Sequence, residues 1–273
     1  MIRKYKLAII GCGNMGKAIL QGVLNSDVAS KDEVIVSVRT DESAAKLRDE
    51  FDCEITTDNR AAAGDAAMII LAVKPYQMST VLSEIREKIA IDQIIISVIA
   101  GKSIQSIEEG LMSIEVAGRL KVVRAMPNTP AKVGESMSAL CVNAHMTDTD
   151  IDRVVRVFGA FGKAEVVRED LMDVVTGVSG SSPAFIYMIM EAMSDAAVKN
   201  GMTRDMAYRF VSQSVLGAAK MLRDTGKHPG ELKDEVASPA GTTIAGICAL
   251  EKAGIRDAMI TGVDFAIEAA RGL

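Results

Sequence analysis

The sequence has 273 residues, of which 49% are hydrophobic and 25% charged, a balance typical of globular proteins and a length that favours two domains. Its net charge of -5 argues against nucleic acid as the main partner, because phosphate groups bind basic surfaces. No uncharged apolar stretch of the sequence has the length of a membrane span, and glycines interrupt the first apolar run, so we expect neither a membrane role nor a signal peptide.

Five near-continuous apolar segments in the first part of the chain suit strands that are buried on both faces of a parallel sheet. They lie at 6–10, 33–38, 68–73, 93–99 and 121–125. Amphipathic stretches such as 14–24 and 77–89 separate them, and this alternation predicts a doubly wound α/β domain of the Rossmann type. A strand at 138–142, a helix opened by Thr147 and a strand at 164–167 are expected to complete it.

From about Asp170 the strand signals stop and helical periodicity takes over. One apolar stripe at helical spacing contains Phe185, Met188, Ile189, Ala192 and Ala196. Similar patterns at 206–221 and 255–270 predict further helices. We therefore predict a dinucleotide-binding domain at 1–168 and an all-helical domain at 169–273. The small residues of these helices favour close packing across a homodimer; the alternative is a monomeric bundle.

The strongest local motif is a glycine-rich turn that follows the first strand and opens the first helix. Gly11 suits the tight turn, Gly13 lets the backbone approach a pyrophosphate, and Gly16 lets the helix pack on the sheet. The helix N-terminus then offers free N–H groups and the positive end of its dipole to the phosphates. The motif predicts a bound dinucleotide.

The end of the second strand indicates which dinucleotide. An NAD-selective site usually carries Asp or Glu there, whereas this chain has Arg39 and Thr40. Arg39 can pair with a 2'-phosphate, and Thr40 can add a hydroxyl donor. Asp41 and Glu42 fit the first turn of the next helix. The sequence thus favours NADPH over NADH, with NADH still possible as a substrate.

Three further segments follow predicted strands and should lie at the carboxyl edge of the sheet, where ligands bind in this class of fold. They are 72–75, 99–101 and 126–130. Each alone is an ordinary turn, but together beside the glycine-rich turn they favour cofactor contact, and we include Gly101 and Asn128 among the predicted contacts.

Two small, polar segments in the second half precede predicted helices, at 177–184 and 237–243. Backbone N–H groups at helix N-termini bind carboxylates well. The alternative interpretation is that Ser182 and Thr242 cap their helices, and capping is compatible with ligand binding.

These motifs together resemble the pyrroline-5-carboxylate reductase family over nearly the whole chain. The motifs are G-x-G-x-M-G at 11–16, A-V-K-P at 72–75, M-P-N-T-P at 126–130, S-G-S-S-P-A at 179–184, H-P-G-E-L-K-D at 228–234 and S-P-A-G-T-T at 238–243. Ser182 and Ala240 stand where many members have glycine. We expect no loss of activity from either residue unless its position requires a positive φ.

The resemblance implies hydride transfer from NAD(P)H to the cyclic imine 1-pyrroline-5-carboxylate, giving L-proline. It implies cofactor contacts at Ile10, Gly11, Cys12, Gly13, Asn14, Met15, Arg39, Asn59, Ala72, Val73, Lys74, Pro75 and Ala100. The substrate is expected at Ser182 and at the loop formed by Ser238, Pro239, Ala240, Gly241, Thr242 and Thr243. Thr243 matches the threonine whose hydroxyl lies near the ring nitrogen, and it is the predicted catalytic residue. The resemblance also supports a dimer, with assembly into a larger ring left open.

Two alternatives remain at this point. The first alternative, a β-hydroxyacid dehydrogenase, has a similar layout. Enzymes of that family use a lysine on the first long helix of the second domain as acid and base, whereas the corresponding stretch of this chain has no lysine before Lys199. A non-catalytic nucleotide-binding protein is the other alternative. His228 and His145 are interpreted as a helix-start or loop residue and a solvated loop residue. Scattered cysteines and only two histidines predict no metal site and a cytoplasmic protein with reduced thiols.

Overall fold

The computed structural model describes residues 3–113, 116 and 118–272. The chain divides into two compact units, one formed by Met1–Gly180 with Ile267–Leu273 and one formed by Ser181–Ala266. The domain boundary expected between residues 168 and 169 stays a prediction. Among the described residues, no helix combines the length and the apolar character needed to cross a bilayer.

The first unit is built on one eight-stranded sheet in the order β3-β2-β1-β4-β5-β6-β7-β8. The strands are β1 Tyr5–Ile10, β2 Val34–Ser37, β3 Glu54–Thr56, β4 Ala66–Leu71, β5 Ile94–Ser97, β6 Lys121–Met126, β7 Ser136–Val142 and β8 Gly162–Val166. All neighbouring pairs are parallel except β6 and β7, which are antiparallel. The predicted Rossmann-type sheet is therefore confirmed. The short strand β3 was not predicted, because only Ile55 of its three residues is buried.

Helices cover both faces of this sheet. They are α1 Asn14–Leu24, α2 Asp41–Glu50, α3 Asn59–Gly64, α4 Met78–Ile85, α5 Ile104–Leu111 and α6 Asp148–Gly159. Alternate residues of β1 face opposite sides: Leu7 and Ile9 belong to one apolar core, and Ala8 and Ile10 to the other. This alternation, in strands buried on both faces, explains why the apolar runs predicted the sheet.

From Glu169 the chain is helical up to the second unit, which corrects one sequence-based expectation. Met172–Val175 forms α7, Thr176–Ser181 forms a π-helical turn, and Ser182–Lys199 forms α8. The expectation that 177–184 precedes a helix is therefore wrong, because these residues are themselves helical. Ser182 does not cap α8 either, because Ser181 holds the N-cap position and makes no side-chain capping bond.

The described part of the chain beyond Val166 contains no strand, as the sequence predicts. The second unit consists of α8, α9 Arg204–Thr225, α10 Pro229–Glu235, α11 Thr242–Lys252 and most of α12 Ile255–Arg271. The helical C-terminal region expected from the 3.6-residue periodicity is confirmed.

Candidate functional site

The glycine-rich turn has the geometry of a phosphate-binding loop. Gly11 has φ of 89°, and its N–H donates to the Ser37 carbonyl oxygen over 2.8 Å. A Cβ atom on Gly16 would lie 2.4 Å from the Gly11 oxygen, whereas one on Gly13 would meet nothing within 4 Å. Gly13 is the N-cap of α1 and has no side chain to cap it, which leaves the N–H groups of the first turn for a ligand.

A cleft of about 540 Å³ opens directly beside this turn, at the carboxyl edge of the sheet. It is lined by Gly13, Asn14, Met15, Ala18, Ala72, Val73, Lys74, Pro75, Val98, Ala100, Thr129 and Lys132. These residues follow β1, β4, β5 and β6, four neighbouring parallel strands. The cleft thus brings together eight of the seventeen residues predicted to bind the cofactor, at the switch point between β1 and β4 where the strand order reverses.

The remaining predicted cofactor residues are not among those that line the cleft. Ile10 is buried in the sheet core, and Gly101 follows Ala100 with φ of 69°. Arg39 is exposed just beyond β2, and its guanidinium has no ion-pair partner among the described residues. Thr40 caps α2: its side-chain oxygen accepts a hydrogen bond from the Ser43 N–H and so already stabilises the start of this helix.

Asn59, predicted as a cofactor contact, links the end of β2 to α4. Its Oδ1 accepts from the buried Ser37 hydroxyl over 2.6 Å, and its Nδ2 donates to Glu84 over 2.7 Å. Because the Ser37 carbonyl holds Gly11, Asn59 supports the glycine-rich turn through one intermediate residue.

Cys12 lies inside the glycine-rich turn with its thiol mostly out of water. Burial raises the pKa of Cys12 to about 12, although Lys17 nearby acts in the opposite direction. The thiol is therefore neutral at physiological pH, and it adds no negative charge beside the site expected to hold phosphates.

Two lysines give the cleft its positive charge. Lys74 follows β4, and Lys132 lies on the short 3-10 turn Thr129–Val133, which packs against α1. The Nζ atoms of both lysines have no ion-pair partner in the described part of the chain. Lys132 was not predicted, because its approach to the cleft depends on the packing of that turn and on no local motif.

In the second unit, residues Ser238 to Gly241 form a tight turn before α11. The Gly241 N–H donates to the Ser238 carbonyl over 3.0 Å, and Ala240 has φ of 57°. Since Pro239 fixes a negative φ at the preceding position, the turn is of type II, which favours glycine where Ala240 stands. The condition set for Ala240 is met, because its position has a positive φ, and the expectation that alanine there costs no activity is therefore withdrawn.

The N-terminus of α11 carries no side-chain cap. Gly241 is its N-cap, so the alternative in which Thr242 caps the helix is wrong. Thr243 follows on the first turn and is half-buried, and within the described part of the chain its hydroxyl makes no hydrogen bond that would compete with a ligand. His228 caps α10 by accepting from the Gly230 N–H at its Nδ1 over 3.1 Å, as expected of a helix-start residue.

Metal chemistry has no candidate residues in the described ranges, where no group of three or more His, Cys, Asp or Glu side chains is arranged to hold an ion. The sheet order, the glycine-rich turn and the adjoining cleft define a Rossmann-type nucleotide-binding protein. Comparison with known proteins narrows this class. A family model described as "Pyrroline-5-carboxylate reductase dimerisation" matches residues 169–273, and one described as "NADP oxidoreductase coenzyme F420-dependent" matches residues 6–101.

Full-length relatives agree with these models. The chain is 42% identical to pyrroline-5-carboxylate reductase of Escherichia coli (strain K12) over 98% of both chains. The solved structure of a Coxiella burnetii pyrroline-5-carboxylate reductase superimposes with a TM-score of 0.89 at 31% identity, covering 98% of each chain. The Plasmodium falciparum pyrroline carboxylate reductase with NADP bound gives 0.85 at 29% identity, covering 100% of this chain and 99% of that one. The chain belongs to the pyrroline-5-carboxylate reductase family.

Proposed function

We propose that the protein is a pyrroline-5-carboxylate reductase, which reduces 1-pyrroline-5-carboxylate to L-proline with NADPH. The observation that carries the proposal is the 42% identity to the Escherichia coli enzyme over 98% of both chains. The cleft beside the glycine-rich turn supports it, because that cleft has the position and the free N–H groups that a dinucleotide needs.

NADP fits the residues of the first unit, and NADP is bound in the Plasmodium falciparum relative. The N–H groups at the start of α1 would hold the pyrophosphate, with Lys74 and Lys132 neutralising its charge. Arg39 would pair with the 2'-phosphate, which makes NADPH the preferred cofactor and leaves NADH a weaker one. Gly16 and Gly11 support this fit, since their close approach leaves no space for a side chain.

The substrate site is proposed in the second unit, at the turn Ser238–Gly241 and the first residues of α11. The uncapped N-terminus of this helix would hold the substrate carboxylate through its N–H groups and its dipole. Ser182 is retained as a further proposed contact. Thr243 would meet the ring nitrogen as a hydrogen-bond partner.

The chemistry makes few demands on side chains. Bound NADPH supplies a hydride from C4 of its nicotinamide ring. A protonated imine is already an electrophile, so this chain need not supply a strong general acid. Its residues would instead orient the imine, balance its charges and exclude water. The α8 helix agrees with this mechanism rather than with that of a β-hydroxyacid dehydrogenase, because its only lysine is Lys199 at the C-terminal end.

The deciding experiment follows the absorbance of NADPH, and then of NADH, with the purified protein and racemic pyrroline-5-carboxylate. We expect oxidation that requires the imine and that is faster with NADPH at low cofactor concentration. Faster turnover with NADH would keep the reaction and reject the role of Arg39. A folded protein that binds NADPH but oxidises neither cofactor would reject the proposed reaction and favour the non-catalytic alternative.

Replacement of Thr243 by alanine tests its role at the ring nitrogen. We expect kcat to fall by about tenfold or more, because one hydrogen bond to a charged group in the transition state is lost. Thr225→Ala, in an exposed threonine at the end of α9, is the matched control and should leave kcat unchanged. An unchanged kcat for Thr243→Ala would remove this residue from the mechanism.

We also propose that the active form is a homodimer formed through the C-terminal helices, which assembles into a larger ring. The exposed apolar side chains of the second unit support the dimer. A cytoplasmic location is proposed as well, supported by four cysteines that are all free thiols.

A further inference from the structure

We propose that Asn128 is a positioning residue that holds the π-helical turn Thr176–Ser181 beside the cofactor cleft. The sequence predicted Asn128 as a direct cofactor contact, and this inference replaces that role. It rests on the proposed reductase function, and it concerns how the chain orients the reacting groups rather than which ligands it binds.

The Asn128 side chain bonds to protein atoms through both ends of its amide. Its Oδ1 accepts from the Met137 N–H over 3.1 Å and from the Ser136 hydroxyl over 3.2 Å. Its Nδ2 donates to the Ser179 carbonyl over 3.1 Å and to the Ser179 hydroxyl over 3.2 Å. An amide has two donor hydrogens and two acceptor positions, so this side chain has no bonding capacity left for a cofactor.

These partners also fix which way the amide faces. The Met137 N–H can only donate, so it requires the oxygen end of Asn128. The Ser179 carbonyl can only accept, so it requires the nitrogen end. Aspartate has the same shape as asparagine but no donor. It therefore keeps the bonds to strand β7 and loses the bond to the Ser179 carbonyl, while the Ser179 hydroxyl can still donate to it.

A second set of contacts ties the same helical segment to β6. Arg124 lies 3.6 Å from Asp173, and a Cβ atom on Gly180 would lie 3.3 Å from the Met126 methyl carbon. Arg124, Met126 and Asn128 are alternate residues and hence face the same side of the extended chain. Three residues on this side thus contact the helical segment in order along the chain: Arg124 contacts α7, and Met126 and Asn128 contact the π-helical turn.

The cofactor cleft begins at the next residue. Thr129 and Lys132 line it, one and four positions after Asn128. The peptide segment that forms this wall of the cleft is therefore the segment that binds the π-helical turn. A change at Asn128 would move the turn relative to the wall without removing any group that the cofactor is proposed to contact.

The bond from Asn128 to Ser179 acts on a segment with an unusual conformation, the π-helical turn. Its wider turn is rarer than an α-helical one, and such turns are frequent at functional sites. Donation by Asn128 to the Ser179 carbonyl stabilises the wide form from outside the helix. Return to an α-helical turn would shift the register in which the chain enters α8 by one residue, a rotation of roughly 100°.

The test compares Asn128→Asp with the wild-type protein in three measurements. They are kcat with its deuterium isotope effect from NADPH labelled at C4, the NADPH Kd by fluorescence titration, and amide hydrogen exchange of 172–181. We expect kcat to fall by about tenfold to a hundredfold, because small misplacements of reacting groups have effects of that size. The isotope effect should rise, the NADPH Kd should change less than about twofold, and exchange in 172–181 should accelerate.

Asn143→Asp is the matched control. Asn143 also uses both amide ends, accepting from the Val122 N–H and donating to the Leu120 carbonyl and to Glu108. It lies at the opposite edge of the sheet, where β6 begins, far along the strand from the cofactor cleft. We expect it to lower Tm but to leave kcat and exchange in 172–181 unchanged.

The outcomes separate this inference from the proposed function. If Asn128→Asp weakens NADPH binding and leaves exchange in 172–181 unchanged, Asn128 is a cofactor contact and the inference is wrong. A kcat within twofold of wild type would reject it as well. If the wild-type protein reduces no imine, the proposed function fails, while hydrogen exchange still reports whether Asn128 holds the turn.

Discussion

Ala240 has a left-handed backbone conformation that glycine adopts without strain. It is the one non-glycine residue with positive φ in the described part of the chain. This conformation destabilises the folded state by about 1–2 kcal/mol for an L-residue. Glycine avoids that strain, but the greater conformational entropy of its unfolded chain lowers the stability by roughly 0.4–1 kcal/mol. We therefore expect Ala240→Gly to raise the free energy of unfolding by about 0.5–1 kcal/mol, measured by urea denaturation at fixed protein concentration.

The control for this prediction is the same substitution a few residues further on. Ala245 is exposed inside α11, where glycine should lower the free energy of unfolding by about 1 kcal/mol. Opposite signs for the two variants would assign the effect to the turn. Equal losses would mean that strain at Ala240 does not limit stability, and that the methyl group makes contacts that outweigh it.

The start of α6 is the element whose stability should depend most clearly on pH. Asp150 is 5% exposed; it accepts two bonds from Thr147 and pairs with Lys121 at 2.7 Å, which ties the helix to β6. Burial alone would raise the pKa of Asp150, but the bonds from Lys121 and Thr147 outweigh burial and hold the pKa below its ordinary value of 3.8. The stabilisation is therefore complete above that value and is lost as the pH falls below it.

Asp150→Asn should lower the free energy of unfolding at pH 7 by about 2–4 kcal/mol, because it breaks a buried ion pair and a capping box. The difference from wild type, measured by urea denaturation between pH 7 and pH 3, should shrink below pH 3.8. Asp148→Asn, in an exposed residue of the same helical turn, should change stability by less than about 0.5 kcal/mol. A pH-independent difference for Asp150→Asn would contradict the role of the charge.

Elements with a strong periodic pattern were predictable, and those set by tertiary packing were not. The runs around β1 and β4 and the Thr147 cap of α6 carry local signals, and the structure has each of them. The π-helical turn has no such signal, because small residues at 177–182 suit a loop equally well and the Asn128 contact comes from another part of the chain. Within the site, the glycine-rich turn was predictable for local steric reasons, whereas Lys132 depends on how a 3-10 turn packs against α1.

At the scale of the whole molecule, the two units differ in how many of their large apolar side chains are exposed to solvent. The sheet unit buries most of them, while helices of the second unit expose large ones, among them Met188 at 68%, Phe210 at 65% and Phe265 at 67%. Exposed apolar surface of this kind marks an interface, and the matching family model is one for dimerisation. A two-fold interface contains each residue twice, so one substitution acts on both sides.

Phe210→Glu and Phe265→Glu, made separately, should therefore weaken the dimer strongly. Loss of two buried phenyl rings is worth about 3–6 kcal/mol, which raises the dimer dissociation constant by roughly a hundredfold or more. Sedimentation equilibrium across a range of concentrations measures this directly, and the concentration dependence of Tm should disappear with the dimer. Ile91→Glu, at a residue 42% exposed in the sheet unit, is the control and should leave the mass unchanged. If both phenylalanine variants remain dimeric at low concentration, the dimer uses another surface, and the exposed helical faces of the second unit must serve a different contact.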